Sequence, residues 1–266
     1  MSRIERIGDA TMYLGDAREI AVSLPDGCAD MIFTDPPYGH NNNDGDLIHR
    51  REAALGLVPI DGSSPRPIAN DGHEAATDLA GWLFAEAPRL LAKGGCCCCC
   101  CGGGGPDPQF ARWSLMMDSS LNFKQMVVWD KGPMGMGWHY RRSYETVLVG
   151  QKKGGPCKWY DTTDAVENII RPGRVAKIIP RAGDHPTPKP PELAEEFIRL
   201  HTLPGETVLD PFMGGGSTGI AAIRLGRKFI GIELEERWFD LACERIEATS
   251  HLPLFEAPRA KQEVLL

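Results

Sequence analysis

The segment from Thr207 to Glu233 limits the fold of this chain more than any other. An apolar run that ends at Leu209 leads through Asp210 and a glycine-rich stretch into a helical pattern that ends before Gly226, and a second apolar run ends at Glu233. This order predicts a β-strand, a glycine turn, an α-helix and a further β-strand. Such a unit is typical of open α/β sheets, in which glycines let a ligand approach the backbone and the acid can bind ribose hydroxyls. Taken alone, it equally suits a nicotinamide dinucleotide or a plain packing unit.

A second predicted strand, Met31 to Thr34, runs directly into the tetrad Asp35-Pro36-Pro37-Tyr38. Open α/β sheets bind ligands at the edge where such strands end. A carboxylate and a backbone carbonyl held stiff by proline can accept the two hydrogens of an exocyclic amine on a flat base, and a tyrosine ring can stack on that base. Both hydrogen bonds strengthen as positive charge develops on the nitrogen. The tetrad therefore indicates methylation of such an amine, with a Pro-Pro turn as the alternative.

Together with a third motif, His185-Pro186-Thr187-Pro188-Lys189-Pro190, these segments resemble the S-adenosylmethionine-dependent DNA amino-methyltransferases, the adenine-N6 and cytosine-N4 family. Pro188 replaces the glutamine usual in that motif, and Gly215-Gly216-Ser217 departs from the usual Gly-Ser-Gly. The catalytic motif precedes the cofactor motifs, an order similar to the circularly permuted β group. The resemblance runs over about residues 5 to 248. It implies an α/β, Rossmann-like class I methyltransferase fold, with a mostly parallel seven-stranded sheet and helices on both faces.

The resemblance also implies a role for individual residues. Asp35 and the carbonyl of Pro36 would hold the target amine beside Pro37, and Tyr38 would stack on the base. Glu233 would bind the cofactor ribose, Thr187 and Lys189 would meet the methionine carboxylate, and Asp16 would lie near the cofactor adenine. The full set implied for S-adenosylmethionine is Asp16, Thr187, Lys189, Asp210, Pro211, Phe212, Gly214, Gly216, Ser217 and Glu233. No metal is implied, because the sulfonium is already a good leaving group.

The charge of the chain is unevenly distributed. The net charge is −7, yet residues 124–190 hold 12 basic and 6 acidic residues, so this segment carries +6 and the rest carries −13. Such asymmetry indicates a basic face on which phosphates could dock, with a solvated charge run as the alternative. Within it, a loop of glycine, methionine, aromatic and arginine residues follows Lys131 and is the best candidate for a DNA contact. The DNA-binding residues predicted here are Trp138, His139, Arg141, Arg142, Lys152 and Lys153.

The domain organisation follows from length and composition. A chain of 266 residues can form a single methyltransferase domain over residues 1–266 with a sizeable core. Residues 39–76 lack periodicity and are predicted to be a mobile lid beside the active site, or a passive insertion. Residues 131–180 are predicted to be a small target-recognition region. Since no signal peptide and no apolar stretch of about 20 residues is visible, a cytoplasmic location is expected.

Six consecutive cysteines, Cys96 to Cys101, need a separate interpretation. They follow a helix end and a glycine pair, so we predict a buried strand in which cysteine acts as a small hydrophobe. Successive side chains of a strand point to opposite faces, so adjacent cysteines do not easily form a tetrahedral site. A metal site, a redox site and an error in the homopolymeric sequence are the alternatives.

The predicted activity is site-specific methylation of double-stranded DNA at N6 of an adenine flipped out of the duplex. Asp35 favours adenine, because cytosine-N4 enzymes of this family often carry Ser-Pro-Pro-Tyr. A cytosine-N4 enzyme is the nearest alternative, followed by an RNA or free-nucleotide amine methyltransferase. A nicotinamide-dependent dehydrogenase would explain the glycine loop alone, and a non-catalytic DNA-binding module would bind no cofactor. A homodimer and a restriction endonuclease counterpart are left open as partners.

Overall fold

A computed structural model describes residues 3–40, 68–101, 109–132, 143–171, 173, 175, 185 and 187–252. Within these ranges the strands are β1 (Ile4–Ile7), β2 (Ala10–Leu14), β3 (Ala29–Thr34), β4 (Leu91–Cys101), β5 (Asn122–Asp130), β6 (Tyr144–Gln151), β7 (Ile169–Ile170), β8 (Thr207–Asp210) and β9 (Lys228–Glu233). The helices are α1 (Ala17–Ala21), α2 (His73–Leu90), α3 (Phe110–Ser120), α4 (Pro191–His201), α5 (Ser217–Arg224) and α6 (Glu236–Ser250).

Among these residues the strands form one sheet in the order β1-β2-β9-β8-β3-β4-β6-β5-β7. The five strands from β2 to β4 in this order pair in parallel, whereas β6 is antiparallel to both β4 and β5. The predicted mostly parallel sheet is confirmed for the seven strands from β2 to β5 in this order. The structure adds β1, antiparallel to the β2 edge, and the two-residue β7, so the sheet is mixed and has nine strands. Both additions are short and half exposed, and such strands leave no long apolar run in a sequence.

The sheet topology brings the predicted motifs to one edge. β3 pairs with β8, Met31 opposite Val208, and β8 pairs with β9, Asp210 opposite Gly231. The chain continues from β3 to one side of the sheet and from β8 to the other, so the strand order reverses between them. Crevices at such switch points are where open α/β sheets bind ligands.

The cysteine run forms the second half of the central strand β4, and all six side chains are at most 1% exposed. Cys96, Cys98 and Cys100 pack into the core on one face of the sheet, and the other three pack into the core on the opposite face. Backbone pairing with β3 and β6 holds the strand on both sides. The predicted buried strand is therefore confirmed.

Two boundaries differ from the sequence analysis. Helix α2 begins at His73, inside the segment predicted to be irregular, rather than at Thr77. The reason is local: Gly72 is extended and starts the helix, while the preceding Asp71 turns back to bind the loop after β3. The rest of the predicted lid, residues 41–67, lies outside the described residues, as does much of the predicted target-recognition region. No helix in the described part of the chain is long and apolar enough to cross a membrane.

The close approach of α5 to α6 gives a testable stability prediction. A Cβ added at Gly219 in α5 would lie 2.5 Å from Ile246 Cδ1 and 2.8 Å from Phe229 Cε1. Gly to Ala in an open helix interior stabilises by roughly 0.5–1 kcal/mol, but overpacking of a core costs about 1–3 kcal/mol. We therefore expect Gly219→Ala to lower the free energy of unfolding by about 1–2 kcal/mol in denaturant titrations.

The matched control is Gly155→Ala, where the nearest atom to the added Cβ is Lys93 Cε at 3.4 Å. This variant is expected to unfold within about 0.5 kcal/mol of the wild type. A Gly219→Ala protein as stable as this control would contradict the predicted packing of α5 on α6.

Candidate functional site

A cavity of about 270 Å³ opens where β3, β8 and β9 end. Its volume lies near the lower end of small-molecule pockets, roughly 300 Å³. The predicted residues that line it are Asp16, Asp35, Pro36, Pro37, Tyr38, Thr187, Lys189, Asp210, Pro211, Phe212, Gly214, Ser217 and Glu233. Gly216 does not line it; this glycine starts α5 at φ +79°, and an added Cβ would lie 3.0 Å from Ala242. The catalytic and cofactor motifs therefore share one cavity, although they are far apart in the sequence.

The carboxylate of Asp35 is held on both oxygens. Lys189 Nζ donates to Asp35 Oδ2 at 2.7 Å, and the Tyr38 hydroxyl donates to Oδ1. The same ammonium lies 4.9 Å from the centre of the Tyr38 ring, within cation–π range. Burial, and then the negative charge of Asp35, raises the pKa of Tyr38 well above its ordinary value. Tyr38 therefore stays a neutral hydrogen-bond donor to Asp35.

Asp71 fixes the loop that carries this tetrad. Its Oδ1 accepts the backbone N–H groups of Tyr38 (3.1 Å), Gly39 (2.9 Å) and His40 (3.2 Å), and the residue is 2% exposed. Three consecutive N–H donors on one carboxylate oxygen define the path of the backbone after Pro37. The sequence analysis did not assign Asp71, because an acid in a stretch rich in Asn, Asp and Gly gives no signal of a long-range contact.

Glu145 is a further site residue that the sequence analysis missed. Lys131 Nζ donates to its Oε1 at 2.5 Å, and Lys189 Nζ lies 3.3 Å from its Oε2. Burial raises the pKa of this carboxyl, but Lys189 and Lys131 outweigh that effect and lower the pKa to about 2. A signal was available: Glu145 is a charged residue at the start of the apolar strand β6, and buried charges require partners.

Glu233 lies at the end of β9 against the glycine loop. Its Oε2 accepts the N–H of Gly214 (2.9 Å) and its Oε1 accepts the N–H of Glu235 (2.8 Å). Burial raises the pKa of Glu233 to about 7. Gly214 has φ +48°, and an added Cβ would lie 3.3 Å from His185 Nε2, so the loop keeps this position free of a side chain. Each carboxylate oxygen retains a lone pair that can accept from a ligand hydroxyl.

Asp210, predicted to shape the cofactor pocket, ties two strands together. Its Oδ1 accepts the hydroxyl of Thr34 at 2.6 Å and the N–H of Phe212 at 3.0 Å. The residue is 2% exposed, and burial raises its pKa to about 6. It thus links β8 to β3 at the point where both strands enter the cavity.

The remaining predicted cofactor residues lie at the rim. Asp16 starts α1 and accepts the N–H of Arg18 at 2.8 Å, and its two oxygens also accept from the Arg18 guanidinium at 3.0 and 2.6 Å. This contact with Arg18 holds the pKa of Asp16 below its ordinary value. Thr187 is exposed, and its N–H lies 3.4 Å from His185 Nδ1.

Lys152 and Lys153, predicted to bind DNA, lie at the other end of β6. Their ammonium groups donate to backbone carbonyls: Lys152 to Leu91 at 2.7 Å, and Lys153 to Ser119 at 3.1 Å. β6 is antiparallel to β4, so its last residues lie beside Cys96, at the edge opposite to the cavity. The structure therefore does not bring these two lysines to the site. Trp138, His139, Arg141 and Arg142 lie outside the described residues.

The residues present fit a cofactor with a ribose and a charged sulfonium arm. The glycine loop keeps side chains away from the backbone at Gly214, and the anchored carboxylate of Glu233 faces the same cavity. The carboxylates of Asp35 and Glu145 place negative charge on the far wall, where a cationic sulfonium is favoured. The fold and this cavity define a Rossmann-like methyltransferase.

Comparison with known proteins identifies the family. The family model described as a DNA methylase, N6_N4_Mtase, matches residues 29–244, and the chain belongs to this family of S-adenosylmethionine-dependent enzymes. DNA adenine methyltransferase YhdJ of Escherichia coli (strain K12) is 26% identical over 284 residues, which cover 95% of this chain and 87% of YhdJ. Type II methyltransferase M2.DpnII of Streptococcus pneumoniae is 36% identical over 119 residues, 41% of this chain and 44% of that protein.

Solved structures confirm the predicted fold class. TTHA0409, a DNA modification methylase from Thermus thermophilus complexed with S-adenosyl-L-methionine, is similar with a TM-score of 0.64 and 25% identity, covering 90% of this chain and 95% of that chain. The cytosine-N4-specific PvuII DNA methyltransferase has a TM-score of 0.66 at 18% identity, covering 94% and 89%, and shows the shared fold alone. The family predicted from three short motifs is thereby confirmed.

Proposed function

We propose that this protein transfers the methyl group of S-adenosylmethionine to N6 of an adenine flipped out of double-stranded DNA. The observation that carries the proposal is the shared cavity, in which Asp35 and Tyr38 lie opposite the glycine loop and Glu233. An acceptor for an amine and a site for a nucleoside cofactor are thus adjacent. The choice of adenine is supported by Asp35 and by the similarity to YhdJ, an adenine methyltransferase. Cytosine-N4 is the second candidate.

The chain's own residues activate the amine by positioning. Lys189 holds Oδ2 of Asp35, so Oδ1, bonded to the Tyr38 hydroxyl, is the oxygen that we assign to one amine hydrogen. The carbonyl of Pro36 would accept the second hydrogen. Arrival of the base requires the Tyr38 hydroxyl to leave Oδ1, after which its ring can stack on the base. When bound, S-adenosylmethionine supplies a methyl group activated by the sulfonium. The hydrogen bonds to Asp35 and Pro36 then strengthen as charge develops on the nitrogen.

Lys189 serves both motifs in this proposal. An ammonium has three donors, and here one is directed to Asp35 at 2.7 Å while Glu145 Oε2 lies at 3.3 Å. A further donor is available to the methionine carboxylate of the cofactor, together with Thr187. We assign the ribose hydroxyls to Glu233 and leave Asp16, already bonded to Arg18, at the adenine end of the cavity.

Cofactor binding is expected to depend on the charge of Glu233. Only the ionised carboxylate accepts hydrogen bonds from ribose on both oxygens, and its pKa is about 7. The affinity for S-adenosylmethionine should therefore fall as the pH drops below 7, by up to about tenfold per unit. Calorimetry between pH 5.5 and 8 is the measurement, with Glu233→Gln as the reference variant. The variant should bind more weakly at pH 8, and the part of the slope between pH 8 and 6 should disappear; an unchanged slope would assign the titration elsewhere.

The activity itself is tested by identifying the product. Unmethylated DNA is incubated with the protein and S-adenosylmethionine, digested to nucleosides and analysed by mass spectrometry. N6-methyladenine is expected, and N4-methylcytosine would select the second candidate. A protein that binds the cofactor yet methylates neither base in DNA would overturn the proposal, and a parallel RNA substrate would then test the RNA alternative. Long-read modification mapping of DNA from expressing cells would report the recognised sequence.

The DNA partner and the domain assignments are proposals of the same kind. The described residues that flank the predicted DNA-contacting loop, Lys131 and Ser143, are hydrogen-bonded to each other beside Glu145, at the cavity edge of the sheet. This position supports a DNA-facing surface on that edge and excludes Lys152 and Lys153 from it. The name of M2.DpnII, a Type II methyltransferase, supports a restriction endonuclease counterpart. A homodimer, the lid at 39–76, the recognition region at 131–180 and a cytoplasmic location stay predictions from the sequence.

A further inference from the structure

A second group of reactive side chains lies outside the cavity. Cys96, Cys98 and His201 place two thiol sulfurs and an imidazole nitrogen within 4.8 Å of one another. Both cysteines are 0% exposed and His201 is 4% exposed. We propose that these three residues bind a zinc ion, with Cys157 as the fourth ligand. The proposal is independent of methyl transfer, because none of the four residues lines the cofactor cavity.

The strand geometry makes the two thiols neighbours. Side chains two residues apart on a strand face the same side, and Cys96 and Cys98 pack on the same face of the sheet. The argument from sequence that consecutive cysteines point apart is sound for Cys97, but it does not apply to alternate positions. It also considered only the run itself, whereas His201 comes from the end of α4.

The separations are compatible with a tetrahedral ion. Zinc lies about 2.3 Å from a thiolate and about 2.0 Å from an imidazole, which places tetrahedral ligand atoms roughly 3.5–3.8 Å apart. The observed limit of 4.8 Å therefore leaves side-chain adjustments of about 1 Å. β4 is hydrogen-bonded to β3 and β6 at these positions, so the two thiols are presented by a rigid backbone.

The imidazole is oriented as a metal ligand requires. His201 Nδ1 lies 3.0 Å from the carbonyl oxygen of Lys158 and must donate to it, since a carbonyl only accepts. The lone pair of the neutral ring then lies on Nε2. Metal-binding histidines almost always donate their other N–H to a carbonyl or carboxylate in this way. Half-buried Cys157, adjacent to Lys158, forms a thiol hydrogen bond with the same imidazole, which places a fourth ligand beside the ring.

The donor set selects zinc and a structural role. Thiolate and imidazole ligands favour zinc over the hard cations magnesium and calcium, and a site closed by four protein ligands is typical of structural zinc. His201 is the last residue of α4, and the helix begins at Pro191, two residues after Lys189. An ion at this end would fix α4 to β4 and thereby fix the start of the helix next to the catalytic lysine.

The test uses the full chain purified without chelators. Elemental analysis is expected to find one zinc per chain in the wild type, and replacement by cobalt should give the thiolate-to-metal absorption of a tetrahedral site. Cys98→Ser and His201→Asn should lose at least tenfold in zinc affinity. Cys99→Ser is the matched control, because this cysteine is also 0% exposed but packs on the opposite face. It should retain the metal in full.

Two results would overturn the proposal. One is a folded wild-type protein, verified by circular dichroism, that carries no zinc and shows no thiolate absorption when loaded with cobalt. The other is a Cys99→Ser protein that loses zinc as completely as Cys98→Ser, which would indicate unspecific thiol binding. Should Cys98→Ser fail to fold, the cobalt spectrum of the wild type and the zinc content of Cys157→Ser, at a half-buried position, still decide the question.

Discussion

Asp35→Ala is expected to lower the rate of methyl transfer by at least about 10²–10³-fold while the protein still binds S-adenosylmethionine. The carboxylate is the acceptor proposed for one hydrogen of the target amine, and preorganised groups that meet developing charge contribute most to such reactions. The cofactor contacts proposed for Glu233 and Gly214 do not involve Asp35. Incorporation of labelled methyl into DNA measures the rate, and calorimetry measures cofactor binding.

Two further variants separate chemistry from stability. Asp35→Asn keeps the size of the side chain and an oxygen for Lys189, so it should fold as well as the wild type and still transfer slowly. Glu247→Ala removes an exposed acid on α6, outside the cavity, and should transfer at the wild-type rate. Near-normal turnover of both Asp35 variants would refute the catalytic assignment. Loss of cofactor binding in Asp35→Asn would instead place the carboxylate in the cofactor site.

The elements that the sequence predicted well are those with strong local patterns. The unit β8-α5-β9 follows from an apolar run, glycines and a second apolar run, and the structure places each within a few residues of its predicted position. The strand before Asp35 and the buried cysteine strand also depend on short-range signals alone. The sheet order then follows from parallel pairing, which brings the ends of β3, β8 and β9 together.

The parts that the sequence did not predict are long-range contacts. Glu145 reaches the site because β6 runs antiparallel beside β4, and that direction is not encoded in its own residues. The same reversal carries Lys152 to the opposite edge, although it is only seven residues from Glu145 and belongs to the same basic segment. His201 meets Cys96 across more than a hundred residues. In each case the partner is selected by topology, so a linear pattern could suggest only that the residue needs one.

Lys189→Met is expected to cost about 3–5 kcal/mol of folding stability as well as most of the activity. The ammonium lies 2.7 Å from Asp35 Oδ2 and 3.3 Å from Glu145 Oε2, and the side chain is 11% exposed. Methionine fills a similar volume but leaves two carboxylates facing each other, with Lys131 as the cation that still contacts Glu145 among the described residues. Breaking a buried ion pair from one side leaves uncompensated charge, which is the costly case.

The pH dependence of stability gives this prediction a second measurement. The pKa of Glu145 in the folded protein is about 2, below its ordinary value, so the ionised carboxyl stabilises the fold at neutral pH. That contribution is present above the unfolded pKa, about 4.3, and is lost as the pH falls towards 2. Without Lys189, the first of the two lysines that lower this pKa, denaturant titrations between pH 5 and 2 should show a shallower fall. Lys228→Met, an exposed position on β9, should retain both the stability and the slope of the wild type. If Lys189→Met unfolds at the same denaturant concentration as Lys228→Met, the ammonium is not holding the two carboxylates together, and the orientation proposed for Asp35 loses its support.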